Sequence, residues 1–381
     1  MNMDELFDFK FDKYEKCWTV TGYYGSGEDV VLPVSYKGKP VKKIGDEFSP
    51  YNKRIKHVTV PEGYTSIGAL AFQKCTGLTN IELPESLTSV GALAFDNCTR
   101  LTNIKLPKNL ISIEAGAFEN CKRLKNVELP ISLVSIGDWA FKDCTGLTNI
   151  KLPKNLTSIG DEAFLDCTGL TEITLDIDNP VFCSVDGAIF DKTMTTLILF
   201  HYGKEGIYYV PDEVTAIEYG AFCNCKLTSI YFPKSLLIIE GFEFNGYQLT
   251  EINVSEFNPV FCNIDGVLFD KEKQKLMVYP RNKEKTEYAV PDGIKYIDGG
   301  AFCGCKRLVN IVLPESLEII GDGAFEKCEK LKAITLPMSL RYIGKYSFAD
   351  CPNLETVTLS RKTMIGQKAF WGFEGKLVYR D

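Results

Sequence analysis

Two histidines in 381 residues leave little room for imidazole-based catalysis or metal binding. Any histidine-based general base or metal centre would have to be built around His57 or His201. Positive charge is not in excess: 43 basic residues face 50 acidic ones, a net charge of −7, and no Lys/Arg cluster runs along a helix. The electrostatic footprint of a nucleic-acid binder is therefore missing, and nucleic acid is not an expected partner. No apolar run approaches the roughly 18 residues that a membrane helix needs, so membrane insertion is not expected. Asp4, Glu5, Asp8 and Lys10 break up any apolar stretch near the start, which therefore does not read as a signal peptide. Walker, His-Glu-x-x-His and nucleophile-elbow patterns are also lacking. Gly22-Tyr-Tyr-Gly25-Ser-Gly27 opens no helix carrying the Lys-Ser/Thr pair that would hold phosphate.

What the chain has in abundance is repetition. Leu83-Pro84, Leu106-Pro107, Leu129-Pro130 and Leu152-Pro153 mark a 23-residue period. An Ala-Phe pair or its variant recurs at Phe48, Phe72, Phe95, Phe118, Phe141, Phe164, Phe222, Phe244, Phe302, Phe325, Phe348 and Phe370, which gives 12 coils. A unit this short cannot bury its own apolar face, so the core must form between stacked neighbours, in one continuous elongated domain. Within a coil, Ile81 and Leu83 alternate with Asn80 and Glu82 as a strand that Pro84 ends. Leu87 and Val90 return to the core, Gly91 allows a turn, and Ala94-Phe95 begins one helical turn near Cys98. Stacking predicts parallel β-ladders about 4.8 Å apart per coil, with short helical turns between them.

The pattern Leu-x-x-Ile-x-Leu-Pro-x-Ser/Asn-Leu-x-x-Ile-Gly-x-x-Ala-Phe-x-x-Cys resembles the BspA-like branch of the leucine-rich-repeat family over almost the whole chain. The resemblance implies a leucine-rich-repeat solenoid. It also implies a cell-surface or secreted protein that binds a protein or glycoprotein of a host or neighbouring cell. The expected function is a non-enzymatic interaction or adhesion module. An intracellular scaffold is the alternative, and a thiol- or carbohydrate-acting enzyme using the inserts a second one.

Two interruptions match each other: Asn179-Pro-Val-Phe-Cys183 with Asp186-Gly187, and Asn258-Pro-Val-Phe-Cys262 with Asp265-Gly266. Asp-Gly between apolar runs predicts a hairpin, and residues 196–200 and 275–279 supply a further strand. Each insert, at 176–210 and 255–290, therefore reads as a small antiparallel sheet, a spacer in preference to a binding edge. Residues 1–40 form an N-terminal β cap on the solenoid of 41–381, and 359–381 a C-terminal cap over its apolar end.

The repeat explains nearly every one of the 14 cysteines. Cys75, Cys98, Cys121, Cys144 and Cys167 lie 23 apart, as do Cys305, Cys328 and Cys351, so each occupies one equivalent core site as a free thiol. Cys223-x-Cys225 and Cys303-x-Cys305 sit about three coils apart, roughly 14 Å, too far to share an ion, so no metal or other cofactor is expected. Cys183 with His201 is the only nucleophile-and-base pair that suggests itself, and no orienting carboxylate accompanies it. Two sets of partner-binding candidates remain. One is the outward strand positions Asn80, Glu82, Asn103, Lys105, Asn126, Glu128, Asn149 and Lys151, whose alternating charges should pair along the ladder. The other is the insert tips, where Tyr202, Tyr208, Arg281 and Lys283 would be anchors.

Overall fold

The computed structural model describes residues 3–200, 204–223, 225–241 and 248–380. It divides into two compact units, Met1–Met194 with Ile198–Gly203, and Thr195–Leu197 with Lys204–Asp381. Each unit has its own buried core.

In the first unit one ladder of short parallel strands runs through Lys39–Ile44, Ser66–Ile67, Ser89–Val90, Ser112–Ile113, Ser135–Ile136 and Ser158–Ile159, serine beside serine from the second rung on. The ladder that ends at Leu-Pro comprises Asp29–Val31, His57–Thr59 and Asn80–Glu82, then separately Asn103–Ile104, Asn126–Val127, Asn149–Leu152 and Glu172–Leu175. The two sets part at Thr102, whose N–H reaches the Thr79 carbonyl at 3.5 Å. The second unit repeats the scheme: Glu205–Tyr209, Lys226–Phe232 and Glu251–Val254 form one outward sheet, and Glu287–Ala289 begins another of five strands.

The expected helical turn is absent: among the described residues the single α-helix is Met3–Leu6. Instead, residues 91–98 form a third ladder. Leu93, Phe95 and Asn97 each donate an N–H to the next coil, on Ala115, Ala117 and Glu119, at 2.8 Å. Ala94, Asp96 and Cys98 donate three residues back, to Gly91, Leu93 and Phe95. An α-helix would aim every N–H along its own axis, whereas stacking needs every second one to cross to the neighbour. Left-handed residues reverse the peptide where this requires it: Leu93 and Asn97 have φ of 55° and 58°. The same pair recurs at Gly116 and Asn120, and at Trp139 and Asp143.

Phenylalanines fill the space inside. Rings 72, 95, 118, 141 and 164 stack at centroid spacings of 5.3–5.5 Å with interplanar angles of 2–11°. A second stack runs through Phe302, Phe325, Phe348 and Phe370. The spacing slightly exceeds the rung distance, so the rings are offset, the favoured aromatic geometry.

At the N-terminal side Phe7–Asp12 pairs antiparallel with Cys17–Tyr23, which lies parallel beside Lys39–Ile44. The C-terminal strand Lys376–Arg380 adds a parallel rung beside Thr356–Ser360; Phe370, Phe373 and Leu377 pack against the core, while Met364, Ile365 and Trp371 stay exposed.

Glycine after the inner isoleucine is required by proximity. A Cβ on Gly137 would stand 2.5 Å from the Ala115 nitrogen and 2.8 Å from the Glu114 carbonyl carbon, both backbone atoms. Gly137→Ala is expected to destabilise by about 1–3 kcal/mol through overpacking. A urea midpoint equal to that of the parent would show that the coils can separate locally at this point.

Candidate functional site

The small polar residues of the repeat separate into two groups. The first group holds the coils together. Thr65, Thr88 and Thr157 hydroxyls donate to backbone carbonyls one coil back, at Lys42, Thr65 and Val134. Ser86 and Ser132 do the same to Tyr64 and Leu110. Asp46 and Asp138 carboxylates accept the N–H groups of Ala69 and Asp161 from the following coil. The sequence reading missed these links; the signal for them was the recurrence of Ser and Thr at fixed coil positions.

The second group faces water. Asn80, Glu82, Asn103, Lys105, Asn126, Glu128, Asn149 and Lys151 are all exposed. Asn103, Asn126 and Asn149 stand side by side in register, each followed by a buried residue, Ile104, Val127 and Ile150. Among the described residues, Asn80, Asn103, Lys105, Asn126, Glu128 and Asn149 make no side-chain hydrogen bond or ion pair. Glu82 accepts from Thr59 at 3.3 Å, and Lys151 lies 3.8 Å from Asp176. The alternating charges were expected to pair, and at Lys105 they do not. The strands here are two residues long, Asn103–Ile104 and Asn126–Val127, so Lys105 and Glu128 lie beyond the paired segment. His57 is also exposed and lies next to Asn80 on this face, as its strand position implied.

The insert tips differ from expectation. Tyr202 and His201 lie outside the described residues. Tyr208 is 4% exposed and packs edge-on against Phe222, so it has no surface to offer. Lys283 is largely buried, its ammonium on the Asp265 carbonyl and 3.9 Å from that carboxylate, which Lys285 also holds at 2.5 Å. Both lysines thus secure the Asp265-Gly266 turn. Arg281 is half-buried with its guanidinium against Gly304.

The hairpins themselves form as expected. Phe182–Val185 pairs with Ala188–Asp191, and Phe261–Ile264 with Val267–Asp270, around Asp-Gly turns with positive φ at both residues. Each is held by an asparagine whose part the sequence reading overlooked. Asn258 is fully buried: its amide donates to the Pro233 and Leu236 carbonyls, and its oxygen accepts from Val260 and Phe261. Asn179 makes the same four bonds to Pro153, Leu156, Val181 and Phe182. The second hairpin also closes a sheet edge. Ile252 donates to the Gly266 carbonyl and Val254 to the Asn263 side chain, both at 2.9 Å.

Every cysteine is a free thiol. In the repeat column the thiol donates to the carbonyl of the preceding coil's phenylalanine: Cys98 to Phe72 at 3.2 Å, Cys121 to Phe95 at 3.3 Å, Cys144 to Phe118 at 3.1 Å. Burial pushes Cys75 and Cys167 up to about 12 and holds Cys98, Cys121 and Cys144 well above the ordinary thiol value. Cys183 donates to the Asp191 carbonyl, and its thiol too is raised by burial, the opposite of an activated nucleophile.

Two structural ladders, a polar outer sheet and a cysteine-phenylalanine inner column recur coil after coil. Residues 42–171, 89–196, 200–275 and 278–378 match the model of the BspA type leucine rich repeat region, in six copies. The chain belongs to the BspA-type leucine-rich-repeat family. Solved structures agree on the fold. A leucine-rich repeat protein from Eubacterium ventriosum has 20% identity over 96% of this chain and 92% of its own, with a TM-score of 0.56. A leucine rich cell surface protein from Faecalibacterium prausnitzii has 23% identity over 100% and 94%, with a TM-score of 0.50. The search of curated proteins found no match. This BspA-type chain is a repeat scaffold of the interaction-module kind, a fold that is typically non-catalytic. No helix among the described residues is long and apolar enough to cross a membrane.

Two outcomes follow from the buried groups. Asn258→Ala strands two carbonyls and two N–H groups, and is expected to cost about 3 kcal/mol or more in chemical denaturation. A loss under about 1 kcal/mol would mean that water replaces the amide. The thiols give a pH dependence. Their folded pKa values are raised, so above pH 9 the unfolded chain releases protons that the fold retains, and stability falls from there toward about pH 12. A urea midpoint that stays level between pH 8.5 and 10.5 in reductant would contradict protonated, buried thiols.

Proposed function

We propose that the chain is an adhesion-type interaction module. In this reading the outward sheet of Asn80, Glu82, Asn103, Lys105, Asn126, Glu128, Asn149 and Lys151 receives a protein or glycoprotein from a host or neighbouring cell. The observation that supports this is the division of labour among polar residues. Those between coils are hydrogen-bonded to backbone, whereas six of the eight on this face keep their full bonding capacity. An array of amides with free donors and acceptors at strand spacing offers hydrogen bonds to a partner without first breaking internal ones. Display at a cell surface fits such a role and is part of the proposal, along with the tips around Arg281 as a secondary contact.

The test is capture of extracellular-matrix and cell-surface proteins by the immobilised chain, compared with the variant Asn103→Arg/Asn126→Arg. Capture should be lost while the melting temperature changes little, since exposed substitutions alter stability within about 0.5 kcal/mol. Lys105→Glu should likewise leave stability within about 0.5 kcal/mol, because no ion pair is lost, and should weaken capture. Capture unchanged in both variants but abolished by Arg281→Ala would move the contact to the insert.

A further inference from the structure

The residue two before the Pro that follows an outer strand is charged at Glu82, Lys105, Glu128 and Lys151 and β-branched at Val31 and Thr59 in the first unit, but is tyrosine at Tyr209 and Tyr231. We propose that these tyrosines mark a binding site for a neutral oligosaccharide. The Tyr209 ring would be its stacking platform, and Glu251 and Asn253 its hydrogen-bond acceptors. The site uses none of the residues assigned to the protein partner above.

Register builds the site. Glu205–Tyr209, Lys226–Phe232 and Glu251–Val254 pair in parallel so that Tyr209, Tyr231 and Asn253 form one row, and Ile207, Ser229 and Glu251 another. The residues between them, Tyr208, Ile230 and Ile252, are buried at 4%, 0% and 0%, so both rows point outward. Tyr209 is 65% exposed and Ile207 53%. The two tyrosine rings stack with centroids 4.5 Å apart and planes 22° apart. Each covers one face of the other, and Tyr209 keeps a flat face in water.

The polar groups beside the rings are already oriented. Ser229 is 3% exposed and donates to Glu251 Oε1 at 3.0 Å, while Asn253 Nδ2 donates to Ser229 Oγ at 3.3 Å. This relay holds both side chains and leaves Glu251 Oε2 and Asn253 Oδ1 accepting no hydrogen bond among the described residues. Two aligned acceptors next to an aromatic face call for a ligand with one apolar face and several donors. A pyranose ring has both, in its C–H face and its hydroxyls. Strands about 4.8 Å apart and alternate residues about 6.6 Å apart give a patch that one or two sugar rings span. The Glu251 carboxylate disfavours acidic glycans. A polyproline segment fits less well: its prolines carry no N–H for the acceptors, and the stacked rings leave no groove between them.

The test begins with the full chain on an array of neutral glucose, galactose, mannose and N-acetylglucosamine oligosaccharides. The best-retained glycan is then titrated into the parent, Tyr209→Phe, Tyr209→Ala and Glu251→Gln. The parent and Tyr209→Phe should bind alike, Tyr209→Ala should lose about tenfold or more, and Glu251→Gln about threefold or more. All should melt within about 3 °C of one another, as surface changes do. Should Tyr209→Ala unfold, the near-isosteric Glu251→Gln carries the test alone. Retention of no glycan, undiminished binding in the folded variants, or retention of a proline-rich peptide through the same tyrosines would overturn the proposal. Capture through Asn103 and Asn126 succeeds or fails separately, because those variants leave this patch untouched.

Discussion

Backbone hydrogen bonds that pass from one coil to the next constrain everything else in this chain. In a globular domain each strand or helix satisfies its neighbours in several directions, whereas here the N–H and C=O groups of a coil that are not bonded within it find partners along the stack. Leu93, Phe95 and Asn97 cross to Ala115, Ala117 and Glu119, while Ala94, Asp96 and Cys98 turn back to Gly91, Leu93 and Phe95. The peptides between them must face the opposite way, which forces left-handed residues and rules out a helix in a segment whose side chains could have made one. Cysteine suits the corner within this geometry. The Phe72 carbonyl already accepts from the Cys75 N–H at 3.1 Å, and the Cys98 thiol takes its remaining lone pair at 3.2 Å. A small, mostly apolar side chain with one weak donor meets both demands of the site.

The inward half of the fold was legible in the sequence because burial imposes a period. Phe, Leu, Ile and Cys return every 23 residues, and the structure stacks them in columns. The turn was misread because Ala-Phe-x-x-Cys has helical spacing. The contrary signal was present in Gly116, Asn120, Gly300 and Gly323, residue types that tolerate positive φ at coil positions where other coils place Leu93, Asn97 or Tyr346. Charge pairing was misread for another reason: a ladder two residues long does not extend to the alternating column at Lys105. The choice of Tyr208 as an anchor failed on phase alone. A strand shifted by one residue exchanges its faces, and Tyr208 points into the core while Tyr209 points out.

Asparagine shows how placement decides the meaning of a residue type. Asn258 and Asn179 are buried with all four amide bonds made, and each ties a hairpin to the carbonyls of the coil before it. Asn103, Asn126 and Asn149 are exposed with none made. Removing the first kind leaves desolvated partners, so it acts on stability; changing the second acts on whatever meets the surface. The same side chain is therefore a structural bolt in the inserts and a solvent-facing group with open bonding capacity on the sheet.

The inserts also limit how far one outward sheet extends. A parallel ladder has no intrinsic end, since each new rung offers the same unpaired edge. The second hairpin occupies that edge: Gly266 takes the Ile252 N–H, Asn263 takes that of Val254, and the next outer sheet starts afresh at Glu287–Ala289. The outward face within this unit is thereby cut into separate panels with different surface chemistry. Tyr209, Tyr231 and Asn253 line one, while Ala289 and Val312 share a rung of the other. Because the outward side chains contribute little to the core, each panel can change its chemistry without disturbing the columns beneath. The hairpins, read from the sequence as spacers, set the boundaries within which such changes stay local.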